Sequence, residues 1–247
     1  MLDQLIALSR ELGKPEYDLA ILGEGNTSVK LDDGAFWVKA SGTTLGTADE
    51  NSFVKLDLAG AAALLDDDLP TDEAIQAAML GVRAPGQTRQ PSVEAMMHAF
   101  LLALPGVTFV GHTHPTAVNA LLCGNDAERL VHLCLFPDQI VCCGASPVYV
   151  PYTDPGLPLA RAVRDRVHAW MRAEGMAPKA ILIQNHGLFA LGATPKEVTS
   201  CALMWAKTAR VMLGALACGG IHPLTAAQVA RIATRPDEKF RAALIGK

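Results

Sequence analysis

The first half of the chain alternates short apolar-patterned segments with turn residues. A helix is predicted over residues 2–13, ending at Gly13, because its apolar positions fall on one face. The segments TSVKL and AFWVKA alternate apolar and polar residues around an Asp-Asp-Gly turn, which predicts a hairpin. A short strand, FVKLDL, and polar or helical connections then lead to about Gln90, and a helix is predicted over residues 92–104.

The second half continues in the same mixed order. PGVTFVGHTH is predicted to be a buried strand, and PTAVNALL to open a helix with proline at its first position. Two short strands are predicted in IVCCGASPVYVPY. A helix that ends at a glycine is predicted in PLARAVRDRVHAWMRAEG. A hairpin or a bent strand is predicted in KAILIQNH and GLFALG. A long helix, PKEVTSCALMWAKTARVMLGAL, and one or two short helices after His222 complete the chain. No repeat or linker divides the sequence, so we predict one α+β domain over residues 1–247. It would be a three-layer α/β/α arrangement with a mainly antiparallel sheet.

Composition and charge narrow the class of protein. The 247 residues are 50% hydrophobic and carry 21 basic against 25 acidic side chains, a net charge of −4, without a basic run. This argues against nucleic acid as a partner. The amphipathic N-terminal segment does not resemble a signal peptide, and the apolar stretches are broken before membrane-spanning length. We therefore expect a soluble, cytoplasmic protein with no membrane partner. Its six cysteines lack CxxC spacing and read as reduced thiols.

The segment GHTHP is the first candidate for chemistry. On a strand, His112 and His114 point to the same face, roughly 6.5–7 Å apart along the backbone. Two such imidazoles can converge on one ion, with metal–nitrogen distances near ~2.1 Å. From these five residues alone, two strand-end histidines bonded to backbone are an equally good interpretation.

A catalytic zinc site needs a third protein ligand and an open coordination position. His186, in QNHGLFALG, ends a predicted apolar strand as the first pair does, although a simple turn histidine is the competing interpretation. The other histidines lie in predicted helices, in a short apolar run or beside a proline: His98, His168, His132 and His222.

Two further segments carry polar side chains at turns and helix starts. Glu94, in RQPSVEAMMHAF, is a candidate general acid/base, although an acid in the first turn also suits the helix dipole. Ser92 is likewise an ordinary N-cap. GEGNTS and ASGTTLG expose backbone N–H groups that can form an anion nest, or are ordinary turns; neither is a dinucleotide fingerprint or a P-loop.

In this order, GNTS, ASG, PSVE, HTHP and NHG resemble the class II aldolase/adducin superfamily from about Gly23 to about Leu213. That superfamily includes zinc-dependent fuculose- and rhamnulose-phosphate aldolases, ribulose-phosphate 4-epimerases and sugar-acid decarboxylases. The resemblance implies that His112, His114 and His186 bind Zn²⁺ or another divalent metal, with Glu94 as the adjacent acid/base. The residues implied to hold the substrate's phosphate are Asn26, Ser41, Gly42 and Ser92, and Thr27 is expected to be a further substrate-binding residue.

The chain departs from the family pattern at two places. The aldolases have two serines before the acid, and here the second is Val93, which removes one phosphate hydrogen bond. Where the fuculose-type aldolase has a tyrosine proton donor from a neighbouring subunit, this chain has Asp138 in FPDQIVCCG. The epimerases use an aspartate in that region, but they also have aspartate in place of Glu94. Asp138 is therefore a candidate second acid/base.

The function implied is cleavage of a carbon–carbon bond in a ketose, in particular a ketose phosphate, through a metal-stabilised enediolate. A 4-epimerase or a keto-sugar-acid decarboxylase would use the same site. A binding module like the adducin head is the non-catalytic alternative, which retention of all three histidines and the acid disfavours. A zinc hydrolase is a further alternative, and the absence of an HExxH or HxHxDH motif from this sequence disfavours it. Relatives commonly form tetramers, so a homotetramer acting on a small sugar in carbohydrate metabolism is expected.

Overall fold

A seven-stranded sheet forms the centre of the computed structural model, which describes residues 1–238 and 240. The strands lie in the order β3-β2-β1-β4-β7-β6-β5, and every neighbouring pair is antiparallel except β5 and β6. The prediction of a mainly antiparallel sheet is thus confirmed. The strands are β1 Asn26–Lys30, β2 Ala35–Lys39, β3 Phe53–Asp57, β4 Phe109–Thr113, β5 Val148–Val150, β6 Ala180–Ile183 and β7 Gly187–Gly192.

Helices cover both faces of the sheet and complete three layers. One apolar core joins the sheet to α2, α3, α4 and α8, and a second joins it to α1, α5, α6 and α9. No helix in the described part of the chain is long and apolar enough to cross a membrane. The helices are α1 Leu2–Leu12, α2 Leu58–Ala63, α3 Asp72–Gly81, α4 Ala95–Leu102, α5 Thr116–Leu122, α6 Ala127–Val131, α7 Pro137–Cys143, α8 Leu157–Glu174, α9 Pro195–Ala217 and α10 Ala226–Thr234.

The central strand β4 sends alternate side chains into the two cores, as the two-residue period of a strand requires. Val110 packs in the core that contains α4, and Phe109 in the core that contains α9. His112 therefore points toward α4, whose eight residues are all buried. This candidate site residue thus lies on the side of the sheet that α4 covers.

Gly111 points the other way, toward α1 and α9. A Cβ atom at this position would lie 2.6 Å from Val198 Cγ1 and 2.9 Å from Leu12 Cδ1. The two helices can therefore approach the sheet this closely only because residue 111 has no side chain.

We expect Gly111→Ala to lower the free energy of unfolding by about 1–3 kcal/mol, because a methyl group overpacks a filled core. Chemical denaturation measures the change. Gly214→Ala is the matched control, since a Cβ there, inside α9, meets nothing within 4 Å. The control is expected to be neutral or stabilising by roughly 0.5–1 kcal/mol. Equal destabilisation by both variants would contradict the packing explanation.

Three predicted elements differ from the structure. The segment IVCC, predicted as a strand, lies in helix α7, which begins at Pro137 and ends before Gly144 at φ 83°. A short apolar run does not distinguish a buried strand from a buried helix, and only Val148–Val150 of the predicted pair is a strand. Helix α4 begins at Ala95 rather than at residue 92. Pro115 precedes α5 as its N-cap instead of being its first residue.

Candidate metal centre

Two of the three histidines come from β4 and the residue just beyond its end, and the third comes from the turn between β6 and β7. His112 lies in β4 beside Asn26 of β1 on one side and Phe189 of β7 on the other. His114 follows the end of β4, and its backbone N–H donates to Leu19 O at 2.8 Å. His186 lies in the three-residue turn between β6 and β7, where Asn185 adopts a left-handed φ of 55°. Tight turns of this kind favour a residue that tolerates positive φ, as asparagine does.

This arrangement brings the three imidazoles together. The Nε2 atoms of His112 and His114 are 2.9 Å apart, and those of His112 and His186 are 3.3 Å apart. One ligand atom from each residue lies within 4.8 Å of the others. Gly187 makes room for the cluster, because a Cβ there would lie 2.8 Å from the His114 ring.

Hydrogen bonding fixes which nitrogen of His112 is free to bind a cation. Its Nδ1 lies 3.1 Å from the carbonyl oxygen of Leu188, so Nδ1 carries the proton and donates. Nε2 therefore carries an unshared lone pair. It faces the two other imidazoles and lies 3.4 Å from a carboxylate oxygen of Glu94. Nitrogens of a tetrahedral zinc site lie about 3.4 Å apart when metal–nitrogen distances are near 2.1 Å. The donor set and its spacing fit a divalent ion.

Burial favours the neutral, ligating form of these imidazoles. Burial lowers the pKa of His112 well below its ordinary value, and it lowers the pKa of His114 as well. A neutral imidazole is the form that binds a metal.

Glu94 lies directly beside the cluster and is 7% exposed. Its Oε1 is 3.3 Å from His186 Nε2, and its Oε2 accepts a hydrogen bond from Asn26 Nδ2 at 2.7 Å. Burial acts to raise the pKa of Glu94, but positive charge on the adjacent His112 and His186 when they are protonated, with the hydrogen bonds from His186 and Asn26, outweighs burial and holds that pKa below its usual range. Glu94 is thus a carboxylate next to the three nitrogens.

A second carboxylate approaches the cluster from the open side. Glu24 Oε1 lies 3.8 Å from His114 Nδ1, and Glu24 Oε2 accepts from the Ile21 N–H at 2.9 Å. Carboxylates that face the outer ring nitrogen of a ligating histidine commonly set the orientation of its ring. In the sequence, Glu24 is recognisable only as part of the GEGNTS turn.

A cleft of about 290 Å³ opens in front of these groups. Its walls include Glu94, His114 and His186, and His112 lies buried behind them. Val93 also lines it, together with all four residues predicted to hold a phosphate: Asn26, Ser41, Gly42 and Ser92. Gly42 has φ 78°, the left-handed conformation that favours glycine at this wall.

Two predicted site residues lie elsewhere. Thr27 points to the opposite face of β1, where its Oγ1 is hydrogen-bonded to Ser9 Oγ at 2.6 Å. Asp138 lies in the first turn of α7, which packs against α9 and α10, and it is not among the described residues that line the cleft.

Lys39 is a cleft residue that sequence reasoning missed. It ends β2, is 4% exposed and lines the cleft with Ser41 and Glu94. Burial lowers its pKa, and the negative charge of Glu94 partly offsets that effect. The available signal was a lysine directly before the Ala-Ser-Gly turn, at a position where AFWVKA otherwise reads as an ordinary alternating strand.

Comparison with known proteins places the chain among relatives of mixed activity. Over 186 residues it is 27% identical to the 3-oxo-tetronate 4-phosphate decarboxylase of Haemophilus influenzae, covering 74% of each chain. Over 180 residues it is 29% identical to the uncharacterized oxidoreductase YuxG of Bacillus subtilis. That match covers 70% of this chain but only 24% of YuxG, so the chain spans about a quarter of that relative.

The solved structures give the same relationship. The N-terminal class II aldolase domain of a conserved protein from Thermoplasma acidophilum superposes with a TM-score of 0.65 at 32% sequence identity, covering 85% of this chain and 92% of that one. The family model for the class II aldolase and adducin N-terminal domain matches residues 3–213. The chain therefore belongs to the class II aldolase and adducin N-terminal domain family.

Proposed function

We propose that this protein is a divalent-metal-dependent carbon–carbon lyase of the aldolase type, acting on a ketose that carries an anionic group, in particular a phosphate. The observation that carries the proposal is the convergence of three imidazole nitrogens and the Glu94 carboxylate at the end of one cleft. His112, His114 and His186 would hold the metal, with zinc as the expected ion. A bound divalent ion would act as a Lewis acid toward the charge that develops on substrate oxygen when the bond breaks.

The part of the cleft around Lys39 suits the anionic end of the substrate. Lys39 supplies a buried positive charge, and Ser41 and Ser92 supply hydroxyl groups, whereas the Asn26 amide hydrogens are bonded to Glu94 and Ser92. Gly42 lets its backbone come near a ligand without a side chain in between. Phosphate or carboxylate groups are the ligands that such a set of donors prefers.

Glu94 is the group that would take and return the proton. Its carboxylate stays ionised beside the imidazoles, and the Asn26 amide fixes one of its oxygens. A general base in this position removes a proton from the substrate hydroxyl or returns one to the carbanion that cleavage leaves. The homotetramer and the cytoplasmic location expected from the sequence remain predictions.

A decarboxylase is the second candidate, favoured by the similarity to the 3-oxo-tetronate 4-phosphate decarboxylase. Loss of carbon dioxide from a β-keto acid leaves the same kind of carbanion beside the same proton donor. The two reactions differ in the bond that breaks and therefore in their products.

A product screen decides between these reactions. Purified protein with added Zn²⁺ or Mn²⁺ is incubated with ketose 1-phosphates and with phosphorylated 3-keto sugar acids. An aldehyde together with dihydroxyacetone phosphate identifies the aldolase, and carbon dioxide release identifies the decarboxylase. Absence of both products across the panel, at full metal loading, would contradict the proposed lyase.

Lys39→Met is expected to raise KM about 10–100-fold for a phosphorylated substrate. A hydrogen bond to a charged group contributes roughly 1.5–3 kcal/mol, and 1.4 kcal/mol corresponds to a tenfold change in binding. Lys55→Met is the control, because the Lys55 Nζ atom is paired with Asp33 at 2.6 Å on the surface. Steady-state kinetics measure both variants. An unchanged KM in Lys39→Met would remove Lys39 from the anion site.

A further inference from the structure

Behind Glu94, a chain of buried hydrogen bonds leads through the interior of the protein. Asn26 Nδ2 donates to Glu94 Oε2 at 2.7 Å and to Ser92 Oγ at 3.1 Å. The other amide atom of this side chain, Asn26 Oδ1, is hydrogen-bonded to His98 Nε2. His98 Nδ1 in turn lies 2.6 Å from Ser28 Oγ. His98 has no exposed surface, and the function described above gives it no role.

Matching spacings on a strand and a helix produce this chain. Asn26 and Ser28 are two residues apart on β1 and point to one face, roughly 6.5–7 Å apart. Glu94 and His98 are four residues apart at the start of α4, about 6 Å along the helix axis. Asn26 therefore lies opposite Glu94, and Ser28 lies opposite His98, across the interface between the sheet and the helix.

The direction of each bond follows from the donors available. Both hydrogens of the Asn26 amide group are used toward Glu94 and Ser92, so Asn26 Oδ1 must accept. His98 Nε2 is then the donor, and its Nδ1 accepts the hydroxyl proton of Ser28. Burial lowers the pKa of His98 to about 4, which agrees with this neutral form at neutral pH.

We propose that His98 is a positioning residue for the Glu94 acid/base, acting through the side-chain amide of Asn26. Without the His98 donor, Asn26 Oδ1 would be a buried acceptor that has lost its donor, and only the Nδ2 bonds to Glu94 and Ser92 would resist a flip of the amide. A flipped amide would place Oδ1 next to a carboxylate oxygen at 2.7 Å, an unfavourable contact between two acceptors. Glu94 would then lose the bond that orients it. This role for His98 rests on the proposed function of Glu94.

A double-mutant cycle on turnover tests the proposal. His98→Leu is expected to lower kcat about 10–100-fold, the usual range for a residue that orients a group at a metal site, with the bound metal retained. In an Asn26→Ala background, the same change is expected to alter kcat by less than about threefold, because the path through the amide is already cut. His98→Gln, which keeps a donor for Asn26 Oδ1, is expected to recover part of the loss.

Leu101→Val is the matched control, a purely apolar change at a fully buried position on the same helix. It is expected to lower stability by about 0.5–1.5 kcal/mol and to leave kcat unchanged. Equal loss of kcat in His98→Leu and Leu101→Val would reduce His98 to a packing role. If the fold-losses in kcat of His98→Leu and Asn26→Ala multiplied in the double variant, His98 would not act through Asn26.

Nitrogen-15 NMR of the histidine rings gives a readout that needs no substrate. The proposal requires a proton on His98 Nε2, an unprotonated Nδ1, and a shift of the Nε2 resonance in Asn26→Ala. A proton on Nδ1 instead, or an unmoved Nε2 resonance, would overturn it. If the wild-type protein turned over none of the screened sugars, the proposed function would fail, and this NMR result would still decide the hydrogen-bond chain.

Discussion

Glu94→Gln is expected to lower turnover about 10²–10⁴-fold while the protein keeps its metal, since that is the usual contribution of a general acid or base. Glutamine has the shape of glutamate, and its amide oxygen can still accept from Asn26 Nδ2 at the position of Glu94 Oε2. The amide of glutamine cannot take up and return a proton near neutral pH. The change therefore removes the proton-transfer step and leaves the three imidazoles in place.

Steady-state kinetics and metal analysis on the same preparation separate these two effects. Glu128→Gln is a suitable control, because Glu128 is an exposed acid on α6 and does not line the cleft. Turnover within about tenfold of wild type in Glu94→Gln would assign the proton transfer to another group. Loss of the metal in this variant would instead make Glu94 a ligand.

His186→Ala is expected to reduce metal affinity by more than about 100-fold and to abolish turnover. Two imidazoles would remain where a catalytic zinc site needs three protein ligands. Groups that only orient such ligands already contribute roughly 10–100-fold, so the loss of a ligand should cost more. The fold is expected to persist, because His186 lies in the turn between β6 and β7 and its contacts are with the other residues of the cluster.

Metal content after gel filtration measures the effect, with circular dichroism as the check on folding. His168→Ala is the matched control, since His168 is an exposed histidine on α8. If His186→Ala had the metal content and the activity of the wild-type protein, His186 would not be a metal ligand.

Local patterns predicted the part of the site that a single strand carries. The two-residue spacing of His112 and His114 implied a shared face, and the structure brings their Nε2 atoms to 2.9 Å. His186 is 72 positions beyond His114, and no spacing rule connects them. Its place in the cluster depends on the pairing of β4 with β7, and the resemblance to a family with ordered motifs supplied what periodicity could not.

Thr27 and Asp138 show where local patterns end. Thr27 stood next to Asn26 in one motif, but adjacent residues of a strand point to opposite faces, and Thr27 bonds Ser9 on the far side of the sheet. Asp138 lies in the first turn of α7, a helix that packs against α9 and α10, and its role as a second acid/base stays a prediction.

Lys39 and His98 were overlooked for a different reason. Each occupies a position where an alternating strand or a buried helix is expected to carry an ordinary side chain, and only the tertiary contacts give it a chemical role. Lys39 acquires its role from the loops that follow β2 and precede α4, and His98 from the polar face of β1 beneath it. Pairing of a strand with a helix from a distant part of the chain cannot be read from either segment alone.

The three histidines and Glu94 are proposed to form one metal-dependent centre for carbon–carbon cleavage. The decisive measurement is a titration of the chelator-treated protein with Zn²⁺ while product formation is followed with the best substrate from the screen. We expect turnover to be absent without metal, to rise in proportion to bound Zn²⁺ and to reach its maximum at one ion per chain. Full turnover by the metal-free protein, or no response to any divalent ion, would contradict it.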